Sequence, residues 1–215
     1  MNNKTIDSYD APIRVTPLRK VFIFLLIPVL KMLAKISIES VENMPEQGAA
    51  IVACNHLSFF DGFVLQYAIP RPLFFMGKAE NFYHPFLRFF MYQIGAFPVQ
   101  RGKFDRSAIL QAQKVLNEGH VLGMFPEGTR TYDCGMVTAK TGTAHLAMKA
   151  KCAIVPVAMS GSQNILKHFF KKASVTVKVC PPIFPYEKMN ANELTDKLMK
   201  ELAKNLPEKL RGVYS

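Results

Sequence analysis

The chain has 215 residues, 49% of them hydrophobic, with 14 Pro and 12 Gly scattered rather than clustered. That length and composition support one packed domain and argue against low-complexity or repeat architectures. The formal net charge is +11, with 13 Lys/Arg against 5 Asp/Glu from Lys140 to Ser215; such a surface suits anionic partners or serves as a solvated face.

From the N-terminus, Arg19-Lys20 precedes the apolar run Val21–Leu30, which Lys31 and Lys35 follow. The run is too short to span a bilayer core, which needs about 20 residues. No small-x-small cleavage site follows it, so a signal peptide is not indicated. The pattern predicts a helix lying in the membrane interface, or an amphipathic helix packed on the domain. Residues 1–40 are assigned to this segment and 41–215 to a single α/β domain.

Short apolar runs then alternate with helical patterns. Strands are predicted at 49–54, 73–76, 96–99, 121–125, 153–159 and 175–180, and helices at 61–69, 85–94, 105–117, 142–151 and 190–206. This alternation indicates an α/β fold with a largely parallel mixed sheet flanked by helices, with an antiparallel first strand as the alternative to a parallel one.

The first strand runs into NHLSFFDG, which sets His56 and Asp61 five positions apart. On a helix those positions point roughly 140° apart, and on a strand they face opposite sides. A strand end, a loop and a helix beginning near Asp61 supply the bend that brings them together. Asp61 can then cap that helix, or accept the Nδ1–H of His56 and leave Nε2 as a base. His56 is the side chain here whose ordinary pKa suits proton transfer near neutrality.

Three further strand ends carry charged residues: Lys78 after the second, Arg101 after the third, and Glu127 and Arg130 after the fourth. In an open parallel sheet ligands bind outside the carboxyl ends of the strands, so these residues are expected on one rim. Guanidinium forks at Arg101 and Arg130 match phosphate oxygens, and Lys78 supplies a point charge. Pro126–Thr129 offers backbone amides, with Gly128 permitting close approach of a ligand. A base among cations describes acyl or phosphoryl transfer to a phosphorylated acceptor.

Together these blocks resemble the 1-acylglycerol-3-phosphate acyltransferase family of the bacterial PlsC type, over roughly residues 20–185. NHLSFFD carries its His-x4-Asp motif; GAFPVQRG (95–102), FPEGTR (125–130) and AIVPVAM (153–159) resemble its other blocks in order. Thr131 stands where the family commonly has serine. The resemblance implies a glycerol-phosphate acyltransferase-like fold and acyl transfer to the free hydroxyl of lysophosphatidic acid in phospholipid biosynthesis. The donor would be an acyl thioester of coenzyme A or acyl carrier protein. His56 would be the general base, oriented by Asp61. Lys78, Arg101, Glu127, Gly128, Thr129 and Arg130 would bind the acceptor, the arginines its phosphate. No metal or cofactor is implied beyond the acyl donor. Also implied are an apolar tunnel for the acyl chain and peripheral contact with the anionic cytoplasmic side of the cell membrane.

Other readings fit less well. The same chemistry could serve glycerol 3-phosphate or another lysolipid. A lipase or thioesterase lacks support, because no G-x-S-x-G elbow exists; Ser160 and Ser162 lie in MSGS, and Cys54 ends a buried strand pattern. Gly123–Gly128 has Walker-like glycine spacing but is followed by Thr129-Arg130 rather than Lys-Ser/Thr. Cys54, Cys134, Cys152 and Cys180 form no CxxC pair, and no His stands at ligand spacing from them, which argues for a reducing compartment and against a zinc site. A non-catalytic lipid- or nucleic-acid-binding protein remains as a third class, although no nucleic-acid motif is present. Lys140 is a candidate phosphate contact, and Lys167, Phe169, Phe170, Lys171 and Lys172 form a candidate membrane patch.

Overall fold

Ala50–Cys54 (β2) lies at the middle of a seven-stranded sheet with every residue buried. The computed structural model describes residues 13–215 apart from 101, 103, 104, 168–171, 187 and 188. The other strands are Ala34–Glu39 (β1), Leu73–Lys78 (β3), Ala96–Val99 (β4), Val121–Met124 (β5), Ala153–Ser160 (β6) and Ala173–Val179 (β7), in the order β1-β7-β6-β2-β5-β3-β4.

The strand predicted at 49–54 is parallel to both its neighbours, β5 and β6, so the antiparallel alternative for it is corrected. The antiparallel pair is β6 with β7, and β1 then runs parallel to β7. β1 was not among the predicted strands. It lies within the 1–40 segment, and Lys35, Ser37 and Glu39 give it the polar look of an edge strand exposed on one side.

Successive side chains of a strand point to opposite faces, and β2 divides itself accordingly. Ile51 and Ala53 join the core under Arg106–Asn117 (α4), Gly142–Ala150 (α5) and Ala191–Lys204 (α6). Ala50, Val52 and Cys54 join the core under Pro17–Leu33 (α1), Asp61–Ala68 (α2) and Pro85–Gln93 (α3). The sheet is thus covered on both faces, as parallel sheets require.

The predicted helices match these spans within about two residues at each end, the ordinary uncertainty of a boundary. Thr16 caps α1 by accepting the Arg19 N–H, with Pro17 at the first position, where a missing N–H is harmless. Asn190 and Glu193 form a reciprocal capping box on α6. Among the described residues no helix is long and apolar enough to cross a membrane.

Candidate active site

β2, β3, β4 and β5 are mutually parallel, so their carboxyl ends open on one rim of the sheet. His56 leaves β2 there, and Lys78 and Arg130 share a single cleft with it, alongside Phe63, Met76 and Phe125. Arg101 lies outside the described residues, as do Phe169, Phe170 and Lys171 of the candidate membrane patch.

Asp61 turns back toward His56. Its Oδ2 lies 2.7 Å from His56 Nδ1 and also accepts the backbone N–H groups of Leu57 and Ser58 at 2.7 and 2.9 Å. The capping expectation is therefore corrected: Asp61 opens α2, but its carboxylate faces the preceding loop. Its Oδ1 accepts hydroxyl protons from Ser58 at 3.2 Å and Ser162 at 2.6 Å. Asp61 is wholly buried, and these donors offset the desolvation of its charge.

Ser162 was considered in the sequence only as a failed nucleophile, and its contact with Asp61 crosses 101 positions of chain. Gly161 makes that contact possible. It has φ +87°, and a Cβ there would stand 1.9 Å from Ser174 O, so only glycine lets the chain turn this closely over β7. Ser162→Ala removes one donor from the orienting carboxylate without touching the imidazole. It is expected to lower kcat by about tenfold, corresponding to ~1.4 kcal/mol, with both KM values unchanged. A kcat equal to wild type in steady-state assays refutes the coupling.

The FPEGTR loop grips the main chain of His56 at both ends. Glu127 Oε1 accepts the His56 N–H at 2.9 Å, and Thr131 donates its N–H, 2.8 Å, and its hydroxyl, 3.2 Å, to His56 O. The other Glu127 oxygen accepts the Val137 N–H at 3.0 Å. Glu127 is only 3% exposed with both oxygens engaged, so the expectation that it holds the acceptor gives way to one in which it positions His56. The Gly128 N–H closes a turn onto Phe125 O and is not free for a ligand. Thr129 and Arg130 are exposed.

Asn55 completes the anchoring: its amide both donates to and accepts from the Met159 backbone at 2.9 Å, tying the end of β2 to β6. Cys54 is fully buried, and burial pushes its thiol well above the usual range, with Asp61 and Glu127 adding to the rise. A thiolate nucleophile there is chemically disfavoured.

The imidazole plane is set by Phe125, whose ring stacks on it at a centroid distance of 3.9 Å and an angle of 17°. Phe75 stacks behind Phe125 at 6.2 Å and 11°. Gly123 admits the Phe75 ring, since a Cβ at that position would lie 2.2 Å from it. Phe125 was not singled out in the sequence, where one apolar residue at a strand end looks like core.

Burial is the largest influence on Glu127 and raises its pKa above the usual carboxylate value; the Val137 and His56 N–H groups pull it back, and the charge of Asp61 adds to the rise. In that interval the folded chain binds more protons than the unfolded one, so this group's stabilisation is fully present below about pH 4.3. It is lost as pH rises through the elevated value. Glu127→Gln removes that slope. Denaturant titrations of both proteins are expected to show the wild-type-minus-variant stability declining above about pH 4.3 and then levelling; a pH-independent difference overturns the assignment.

Two hollows adjoin the cleft. One, of 310 Å³, runs past Met76 and Phe125 to Gln100, Gly128, Lys140 and Thr143. The other is an entirely apolar groove of 250 Å³ between α1, α2 and α3, lined by Phe22, Leu26, Phe59, Phe63, Phe86 and Phe90 among others. Phe59 and Phe63 line both the groove and the cleft, so the two are adjacent.

The sequence model of the Acyltransferase family matches residues 35–160. The chain is 31% identical to the 1-acyl-sn-glycerol-3-phosphate acyltransferase of Bacillus subtilis over 156 residues, 72% of this chain and 77% of that protein. It is 29% identical to the enzyme of the same name from Borreliella burgdorferi over 179 residues, 78% and 72% of the two chains. Among solved structures, the 1-acyl-sn-glycerophosphate acyltransferase PlsC of Thermotoga maritima matches with a TM-score of 0.70 at 21% identity, covering 88% of this chain and 81% of that one. That likeness is one of fold.

Proposed function

The chain belongs to the acyltransferase family, of the 1-acylglycerol-3-phosphate O-acyltransferase type, and from this premise we propose that it acylates the free hydroxyl of lysophosphatidic acid, using an acyl thioester of coenzyme A or acyl carrier protein. The observation that carries the reading is the His56 Nδ1···Asp61 Oδ2 contact of 2.7 Å at the cleft that Lys78 and Arg130 also line. Neutral His56, with Nδ1–H held by Asp61, presents Nε2 to the lipid hydroxyl and takes its proton. The lipid oxygen attacks the thioester carbonyl, and collapse of the tetrahedral intermediate breaks the C–S bond. The imidazolium returns its proton to the departing thiolate. A thioester is already activated, so no covalent acyl-enzyme is needed.

Lys78 and Arg130 suit the acceptor phosphate, and Arg101 is assigned to the same phosphate on the family resemblance. The Phe-lined groove suits an acyl chain, because it is apolar throughout and shares Phe59 and Phe63 with the cleft that His56 lines. Peripheral attachment to the anionic, cytoplasmic face of a membrane fits the outer surface of α1 and α3. Leu18, Phe24, Leu25 and Met32 of α1 and Phe86 and Phe89 of α3 are exposed together, with Lys20, Lys31 and Arg88 among them.

The test is acylation by purified protein of lysophosphatidic acid, glycerol 3-phosphate and lysophosphatidylcholine, with thioesters of both carriers. Lysophosphatidic acid is expected to have the highest kcat/KM. Comparable or better use of either other acceptor overturns the acceptor assignment; hydrolysis of the thioester without ester formation overturns the reaction class.

A further inference from the structure

Among the described residues, Arg19 carries a buried charge without a counter-charge. It sits in the first turn of α1, turned inward and only 1% exposed. Its Nη2 donates to Leu73 O, and the guanidinium lies 4.6 Å above the Phe74 ring. Among the described residues, Nε and Nη1 have no hydrogen-bond partner and no carboxylate is within ion-pair distance. Burial lowers its pKa to about 10, so it remains a cation near neutrality.

An unpaired buried ion is costly even after relaxation, and each unmade buried donor adds to that cost. The surroundings are nevertheless shaped to hold it. Gly95 has φ +77°, and a Cβ there would come within 2.5 Å of Arg19 Nη2. The guanidinium borders a cavity of 80 Å³ whose lining also includes Arg14, Thr16, Tyr92, Gln93 and Gly95. This lining brings a second cation and neutral donors but no acid.

The cavity has room for two or three waters at about 30 Å³ each, or for one small oxyanion. Water can accept from the orphan N–H groups but leaves the charge uncompensated. A species with several acceptor oxygens and a negative charge meets both needs. The site lies where β3 and β4 begin, at Leu73 and Ala96, whereas His56 stands past the carboxyl end of β2, parallel with them. Arg19 is thus held at the amino ends of β3 and β4 and His56 beyond the carboxyl end of β2, with Ala96 bordering both hollows.

We propose that this cavity binds a phosphate-class oxyanion on Arg19, which fastens the start of α1 to the sheet. The oxyanion comes either from solution or from a phosphomonoester lipid headgroup, since α1 also exposes Leu18, Phe24, Leu25 and Met32. Binding to the folded state raises the melting temperature in a saturable way. Melting of the full chain is followed against inorganic phosphate, with chloride at matched ionic strength as the control. Wild type and Arg130→Ala, in which the catalytic cleft has lost a phosphate ligand, are expected to gain several degrees. Arg19→Met is expected to gain nothing beyond the chloride effect, and to be at least as stable as wild type without phosphate because a lone buried charge has gone. If Arg19→Met does not fold, Arg19→Lys replaces it, with at least tenfold weaker apparent phosphate affinity expected. In a second arm without free phosphate, phosphatidylcholine vesicles carry either phosphatidic acid or the phosphodiester lipid phosphatidylglycerol. A rise in the first arm identifies a free ion; a rise only with phosphatidic acid, and only when Arg19 is present, identifies a headgroup. Equal responses with and without Arg19, or no response in either arm, overturn the proposal.

Discussion

His56→Ala leaves a folded protein whose turnover has fallen by about 10²–10⁴-fold, the usual contribution of a positioned general base. The fold survives because the substitution strands no buried charge. Asp61 keeps the Leu57 and Ser58 N–H groups and the hydroxyls of Ser58 and Ser162. Glu127 and Thr131 hold only the main chain of residue 56, which alanine retains. What is lost is the proton acceptor and its stack on Phe125. Initial rates with lysophosphatidic acid and an acyl thioester, beside a thermal melt, read out both halves of the expectation. A folded variant within fivefold of wild-type turnover removes His56 from the mechanism.

Asp61 separates into a structural and an electrostatic part when two substitutions are compared. In Asp61→Asn the amide oxygen can occupy the Oδ2 position, still accepting from His56, Leu57 and Ser58, while the amide nitrogen donates to the Ser58 and Ser162 hydroxyls, which rotate to accept. Geometry persists and the negative charge does not. The imidazolium formed in the reaction then lacks its counter-charge, so turnover falls by about 10–10²-fold, taking roughly 1.5–3 kcal/mol for a charge-assisted hydrogen bond. Asp61→Ala also leaves three N–H donors unpaired, each costing about 1–3 kcal/mol, and is expected to melt far below wild type. Should Asp61→Asn be inactive because it is unfolded, or Asp61→Ala as stable as wild type, this division is wrong.

Much of the architecture was readable along the chain, because alternating burial leaves a local signature. β2 and β6 appear as apolar runs since both their faces are covered, and α4 and α6 appear as periodic patterns since one face of each is. β1 escaped because it is an edge strand, and its lysine, serine and glutamate follow a helical segment without an intervening turn signal. His56 and Asp61 were readable because their pairing needs only a short bend.

The amino-acid order alone determined where strands end, which charged residues stand beyond them, and that a histidine and an aspartate meet. Tertiary structure decided their duties: β2 is seated between β5 and β6. That seating lets Glu127 reach the His56 backbone 71 positions away, Ser162 reach Asp61 across 101, and Phe125 lie on the imidazole. It likewise left Arg19 facing a cavity between α1 and the sheet. Local patterning reports only whether a residue is buried; which group it is buried against follows from strand order, and that is set by the packing of the whole sheet.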